Sequence, residues 1–405
     1  MMSIAVGATP TAVDSEVRKV SVDRYEITLR FKGDRSGRWT LHIPGTWASA
    51  EHAERGIEGL EILTPGAKLE GTDDAQLKRV VHRPGAMLQV RYRLRQIEDG
   101  EPSVQWRTEY LPLIQPGYFE WIGWTTWVVP TSNQARVHVR VRFSGLPAEW
   151  NFVSSFGLDR EHVEFAGPME LFRASIFIGG DFRLRSRSVR GGRLVTAIRG
   201  DWPFRDSELA DRVAAIVDGT RDFWRDDDQP DFLVTSTPIR ATRRQRSTGG
   251  TGLTRSFATW TTPIQSPDEL DTLFTHEYFH TWNPLGLGTS PEPEALGNWF
   301  GEGFTDYYTH LERLRWHLID LAQYANAYDD VLRSLAGLHE NELPNAEIGP
   351  RYFSEGNTIG KLPYWRGMLL AARWDSQIRT ASRTPPRTSR GISIAVNGCR
   401  SSTAT

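Results

Sequence analysis

The feature that most constrains this 405-residue chain is a single change in the spacing of its apolar residues, near Trp202. Before that point, apolar and polar residues alternate with period two in residues 25–31, 87–94 and 137–143, and Gly and Pro turn signals separate the runs. After it, apolar residues recur at helical spacing in residues 207–224, 296–335 and 362–379. We therefore predict an α+β fold, in which an N-terminal antiparallel β domain precedes a mainly helical domain.

This change of pattern, together with the polar composition of the C-terminal residues, divides the chain into three predicted regions. Residues 1–204 are expected to form the β domain and residues 205–382 the helical domain. The last region, 383–405, is rich in Ser, Thr, Arg and Pro, and we expect it to be a polar, disordered tail.

Composition excludes several classes of protein. Lys and Arg number 48 and Asp and Glu number 50, so the net charge of -2 offers no electrostatic footprint for nucleic acid. One Cys, at position 399, rules out a disulfide framework and a cysteine-based zinc ribbon.

No stretch approaches the roughly 18 apolar residues of a membrane span, and residues 118–129, the most apolar segment, are interpreted as buried sheet. The N-terminus lacks the basic start of an export signal, and a cytoplasmic or periplasmic location is left open.

One motif carries metal chemistry. His276-Glu277-Tyr278-Phe279-His280 is an HExxH sequence in a predicted helix that begins with the capping signal Ser266-Pro267-Asp268-Glu269 and ends by Pro284. Residues four apart lie on one helix face, so both imidazoles can bind one metal ion. Glu277 then faces the open coordination position, where it can accept a proton from the attacking water.

A second segment supplies acidic side chains for the same site. A catalytic zinc ion needs a third protein ligand, commonly a carboxylate, and Glu302 in the stretch NWFGEGFTDYY is the candidate. Asp306 lies one helical turn later, where its carboxylate can accept a hydrogen bond from a ligating imidazole.

HEYFHTWN followed by WFGEGFTDYY resembles the glycyl aminopeptidase family of zinc metallopeptidases, which is related to thermolysin and to the large aminopeptidases. The resemblance implies a thermolysin-like catalytic domain with a small mixed sheet and one Zn²⁺ per chain. It implies that Glu277 is the general base and then the proton donor to the leaving amine, and that the zinc ligands are His276, His280 and Glu302.

The resemblance extends on both sides of these motifs. Downstream, PYWRG resembles the tyrosine helix of the family, which implies that Tyr364 stabilises the oxyanion of the tetrahedral intermediate. Upstream, residues 249–258 resemble the substrate-binding edge strand, which implies peptide contacts from Gly249, Gly250, Thr251 and Gly252.

The chain also departs from the family pattern. The edge strand reads GGTGLTRS and lacks the acidic residue expected to hold the α-amino group of a substrate. The interval between His280 and Glu302 is shorter than is typical of the family, and the PDZ domain that many members carry is expected to be absent.

The predicted function is that of a zinc-dependent peptidase with aminopeptidase-like action on a peptide or protein. The alternatives are an endopeptidase of the same mechanism and a non-catalytic peptide-binding relative. No nucleic-acid partner and no membrane span are expected, and the sequence does not indicate an oligomeric state.

Overall fold

The computed structural model describes residues 12–105, 107–131, 136–228, 231–242, 244–288, 294–352, 355 and 358–381. They pack as two compact units that interleave along the chain. The first unit takes in the residues up to 187 together with 193–206 and 231–265, and the second takes in 188–192, 207–230 and the residues from 266 onward. The predicted tail, 383–405, lies outside the described residues.

The first unit contains a six-stranded sheet whose alternation matches the sequence pattern. In strand Val137–Ser144 the side chains of Val137, Val139, Val141 and Phe143 are buried, and the residues between them are exposed. One neighbouring pair is parallel, Ala12–Lys19 with Val137–Ser144, and the long intervening chain permits this pairing. The spatial order is Val163–Gly167, Val137–Ser144, Ala12–Lys19, Arg24–Lys32, Met87–Arg95 and Ile57–Ile62.

Two further sheets of the first unit have four strands each, and the same unit contains an aromatic core. Phe119, Trp121, Trp127 and Phe143 are buried in this core. The segment predicted as continuous buried sheet is instead interrupted, because a helical turn, Gly123–Thr126, follows strand Tyr118–Ile122. Gly123 lies so close to the carbonyl of Arg173 that any Cβ there would collide with it, which explains a glycine at this turn. In spatial order, one sheet consists of Val129–Pro130, Arg38–His42, Leu77–Val81 and Lys68–Gly71, and the other of Asn151–Ser154, Ile176–Gly180, Tyr118–Ile122 and Leu113–Gln115.

A five-stranded mixed sheet contains the predicted edge strand. Strand Thr248–Leu253 pairs antiparallel with Ser256–Thr261 and stands last in the order, as predicted for an edge. The remaining strands, in order outward from Ser256–Thr261, are Asp231–Pro238, Gly192–Ile198 and Arg183–Val189. Three of them run parallel, because helix Asp206–Trp224 lies between two of these strands in the sequence and allows a crossover.

The second unit is helical, as predicted. Helix Pro267–Phe279, named here the HExxH helix, begins with the predicted capping box, in which the Glu269 carboxylate accepts a hydrogen bond of 2.7 Å from the Ser266 backbone N–H. Gly303–Arg315 is named the Asp306 helix, and Leu362–Ala381 the Tyr364 helix. The other helical segments of this unit are Asp206–Trp224, Glu294–Gly301, Leu321–Gly337, Asn345–Ile348, Gly349–Arg351 and Ile359–Lys361.

The predicted fold class is confirmed, since mainly antiparallel sheets precede a helical part and a mixed sheet lies between them in the chain. The division into domains at residues 204 and 382 stays a prediction. Among the helices of the described residues, none combines the length and apolar character that a bilayer crossing requires.

Candidate active site

Two imidazoles lie side by side at the end of the HExxH helix. His276 is in its last turn and His280 is the capping residue that follows, still in helical conformation. Their ring centroids are 4.6 Å apart and the ring planes are nearly perpendicular. Both residues are buried, so the i, i+4 spacing directs two nitrogen ligands into a site largely shielded from water.

Each imidazole forms a hydrogen bond through its Nδ1 atom. His276 Nδ1 lies 2.8 Å from Asp306 Oδ1, and His280 Nδ1 lies 2.8 Å from the carbonyl oxygen of Asn283. A carbonyl and a carboxylate accept hydrogen bonds, so both Nδ1 atoms carry the proton. In the neutral rings, both Nε2 atoms are then left with a free lone pair.

Glu302 brings a third acceptor to these two lone pairs. It lies between helix Glu294–Gly301 and the Asp306 helix, and its Oε2 is 3.1 Å from His276 Nε2 and 3.6 Å from His280 Nε2. One ligand atom from each of the three residues lies within 4.8 Å of the other two. Three converging acceptors repel one another unless a proton or a metal cation lies among them, and two nitrogens with one carboxylate are a donor set that suits Zn²⁺.

His276, His280 and Glu302 are called the trio below, and their electrostatics agree with a site for positive charge. Burial alone would lower the pKa of His276, but its hydrogen bonds to Asp306 and Glu302 raise the pKa to about 10. Burial alone would raise the pKa of the Glu302 carboxyl, yet the two histidines hold that pKa well below the usual range. The site therefore stabilises an ionised carboxylate together with a cation.

Glu277 is a buried carboxyl beside this trio. Its Oε2 has no hydrogen-bond partner among the described residues. Burial raises the pKa of Glu277, and the neighbouring His280 and His276 act against that rise. A carboxylate with unused acceptor capacity, next to a cation site, is able to take a proton from a molecule that enters the site.

Tyr364 contributes a phenol next to the same imidazoles. Its ring stacks on that of His276, with centroids 6.0 Å apart and planes at 22°. Burial raises the pKa of Tyr364 well above the usual range, so this phenol keeps its proton at neutral pH. A neutral phenol can donate a hydrogen bond to a developing negative charge.

Close helix packing brings Glu302 and Tyr364 to the imidazoles. A Cβ at Gly303 would collide with the backbone of Gly367, and a Cβ at Gly367 would collide with the carbonyl of Trp299. Two glycines thus allow the Asp306 helix and the Tyr364 helix to approach backbone to backbone.

Asn283 links the HExxH segment to the segment that carries Glu302. No role was assigned to this residue from the sequence. Its side-chain amide donates to the carbonyl of Phe300 at 3.1 Å, while its own carbonyl accepts from His280. One residue therefore orients an imidazole and fixes the segment that carries Glu302. The sequence signal for this role is its position three residues after His280, but nothing in the local sequence shows which backbone groups its amide reaches.

The predicted substrate-binding residues Gly249, Gly250, Thr251 and Gly252 lie on strand Thr248–Leu253 in the first unit. The buried carboxylate of Glu109, which sequence reasoning missed, lies near Gly249. The Arg107 guanidinium donates to Oε1 of that carboxylate, while its Oε2 has no hydrogen-bond partner among the described residues. Whether this strand binds a peptide stays a prediction, as do the roles of the residues in the second unit.

Comparisons with known proteins relate this geometry to a family. The model of the M61 glycyl aminopeptidase family matches residues 269–343, which contain the HExxH motif, Glu302 and Asp306. The predicted resemblance to that family is therefore confirmed over this segment. A search of curated proteins finds no match.

Solved structures match over nearly the whole chain. A crystal structure of an aminopeptidase N family protein from Idiomarina loihiensis has a TM-score of 0.73 at 14% identity, covering 96% of this chain and 69% of that one. The M1 zinc metallopeptidase of Deinococcus radiodurans, in a variant bound to a Tyr-Ser-Ala substrate, has a TM-score of 0.54 at 13% identity, covering 93% and 84%. At such low identity these matches establish the fold that the chain shares with them.

Proposed function

We propose that this chain is a zinc-dependent peptidase with aminopeptidase-like action, and that it binds one Zn²⁺ through His276, His280 and Glu302. The observation that carries the proposal is the convergence of two imidazole lone pairs and a carboxylate oxygen within 4.8 Å. The match of residues 269–343 to the glycyl aminopeptidase model supports the choice of a peptidase over other zinc enzymes.

The residues of the site divide the work of hydrolysis. Zinc, when bound, polarises the scissile carbonyl and lowers the pKa of the attacking water. Glu277 accepts the proton of that water and passes it to the nitrogen of the leaving amine. Tyr364 donates its phenol proton in a hydrogen bond to the oxyanion of the tetrahedral intermediate. Asp306 keeps the His276 ring in the tautomer that offers Nε2 to the metal.

A second candidate, an endopeptidase of the same chemistry, is favoured by one observation. Residues 249–257 offer no carboxylate, and one oxygen of the Glu109 carboxylate near Gly249 already accepts a hydrogen bond from Arg107. A buried ammonium without a counter-charge is costly, so a strand of this composition gives little support to strict selection of a free N-terminus.

The test combines metal analysis with hydrolysis of short peptides by the purified chain and by Glu277→Gln. We expect about one zinc per chain in both proteins. We also expect a loss of about 10²- to 10⁴-fold in kcat for the variant, because glutamine keeps the size of the side chain but cannot accept the proton.

The outcomes separate the candidates. Zinc binding without hydrolysis in the unaltered chain would favour a non-catalytic peptide-binding protein. Failure to bind zinc would contradict the proposal as a whole, and full activity of Glu277→Gln would require another base.

A further inference from the structure

Tyr352 forms a hydrogen bond with the residue proposed to stabilise the oxyanion. Its phenol donates to the phenol oxygen of Tyr364 at 3.0 Å. The two rings are parallel within 5°, with centroids 6.4 Å apart. Since Tyr364 also stacks on His276, the three rings form a continuous row that ends at the metal-binding trio.

The direction of this hydrogen bond determines what Tyr364 can do. A phenol has one proton to donate and can accept as well. Because Tyr364 is the acceptor from Tyr352, its own proton is not used in that contact and is available to another group.

The backbone of Tyr352 packs against segment Ile359–Lys361, which directly precedes the Tyr364 helix. The carbonyl of Tyr352 lies so close to Gly360 that a Cβ there would collide with it. On the other side of Tyr352 in the sequence, the Arg351 guanidinium donates two hydrogen bonds, of 2.6 and 2.9 Å, to the Glu355 carboxylate. The contact with Gly360 restrains the backbone of the donor, whereas the Arg351–Glu355 pair is exposed to solvent and adds little.

We propose that Tyr352 is a positioning residue for hydrolysis, and that its hydrogen bond orients the Tyr364 O–H group toward the oxyanion of the substrate. The inference rests on the proposed peptidase function. It assigns to Tyr352 no contact with the substrate, so its effect passes entirely through Tyr364.

The test is a double-mutant cycle of Tyr352→Phe and Tyr364→Phe, with kcat and KM measured on one peptide. We expect Tyr352→Phe to lower kcat by about 3- to 30-fold with KM nearly unchanged, since one hydrogen bond that matters in the transition state is lost. In the Tyr364→Phe background, the same change should have no further effect, because the group that it orients is absent.

A matched control is available in the same unit. Tyr324 and Tyr328 also share a hydroxyl–hydroxyl contact of 3.0 Å, on helix Leu321–Gly337. Tyr328→Phe removes a comparable hydrogen bond and should leave kcat unchanged. Equal effects of Tyr352→Phe with and without the Tyr364 hydroxyl would overturn the proposal, as would an unchanged kcat.

A second measurement needs neither zinc nor activity. With 3-fluorotyrosine at position 364 of the zinc-free protein, the ¹⁹F resonance should move in Tyr352→Phe and stay in place in Tyr328→Phe. A resonance that does not respond to Tyr352→Phe would overturn the contact itself. If the unaltered, zinc-loaded chain hydrolyses no peptide, the proposed function fails. If it is active but the cycle is additive, only the role of Tyr352 fails.

Discussion

At the residue scale, the HExxH motif depends on partners outside it. The motif places two imidazoles on one helix face, but Asp306 and the Asn283 carbonyl decide which nitrogen of each ring faces the centre. The sequence predicted Asp306 from its one-turn distance to Glu302, because helical spacing is a local property. It gave no role to Asn283 or Tyr352, because their contacts depend on where separate segments meet.

Replacing Asp306 should weaken zinc binding more than it weakens folding. Asp306→Ala removes the acceptor of the His276 Nδ1 proton, so the ring loses its fixed tautomer and orientation. We expect zinc affinity to fall by about 10- to 100-fold. Competition with a chromophoric chelator measures this affinity.

Asp159→Ala is the matched control, since Asp159 contacts the exposed His162 at 3.1 Å and both lie in the other unit. It should leave zinc affinity unchanged. Equal affinities for the unaltered chain and Asp306→Ala would show that the contact with His276 does not support metal binding.

At the element scale, the packing of two helices keeps one buried carboxyl in its neutral form. Glu312 on the Asp306 helix is fully buried and accepts a 2.9 Å hydrogen bond from the hydroxyl of Thr220, on helix Asp206–Trp224. Burial raises the pKa of Glu312 from about 4.5 to about 8, although the Thr220 hydrogen bond and the charge of Arg315 oppose the rise. Between these values the folded chain keeps a proton that the unfolded chain has released, so this group makes stability fall as pH rises.

Glu312→Gln should therefore stabilise the chain at high pH. Glutamine still accepts from Thr220 but has no charge to lose. We expect the variant to gain on the order of 4 kcal/mol over the unaltered chain at pH 8, and the gain to vanish near pH 4.5. Denaturant unfolding at several pH values measures the difference. Glu342→Gln, at an exposed position of the same unit, should show no comparable trend. A gain that does not depend on pH would contradict a neutral Glu312.

At the scale of the whole molecule, the sequence indicated the order of the elements better than their grouping. The capping box of the HExxH helix and the alternation in strand Val137–Ser144 are local patterns, and both appear as predicted. The compact units are not continuous in sequence, because strand Asp231–Pro238 pairs in parallel with Gly192–Ile198 across an intervening helix. The change in apolar spacing near Trp202 cannot reveal such a return, since hydrogen bonds between distant strands leave no mark on local periodicity.

The choice between exopeptidase and endopeptidase is also a property of the whole chain. An aminopeptidase must offset the charge of the substrate ammonium, and residues 249–257 provide no carboxylate for this. Glu109 lies near Gly249, but Arg107 already donates to its Oε1, which leaves only its Oε2 without a partner among the described residues. We therefore expect less than about a hundredfold preference in kcat/KM for a peptide with a free amine over its N-acetylated form, which is about 2.7 kcal/mol in transition-state binding. Parallel assays of the two peptides with the unaltered chain and with Glu109→Gln test this expectation. A larger preference that Glu109→Gln abolishes would identify Glu109 as the amine anchor. A larger preference that persists in this variant would place the anchor on another residue.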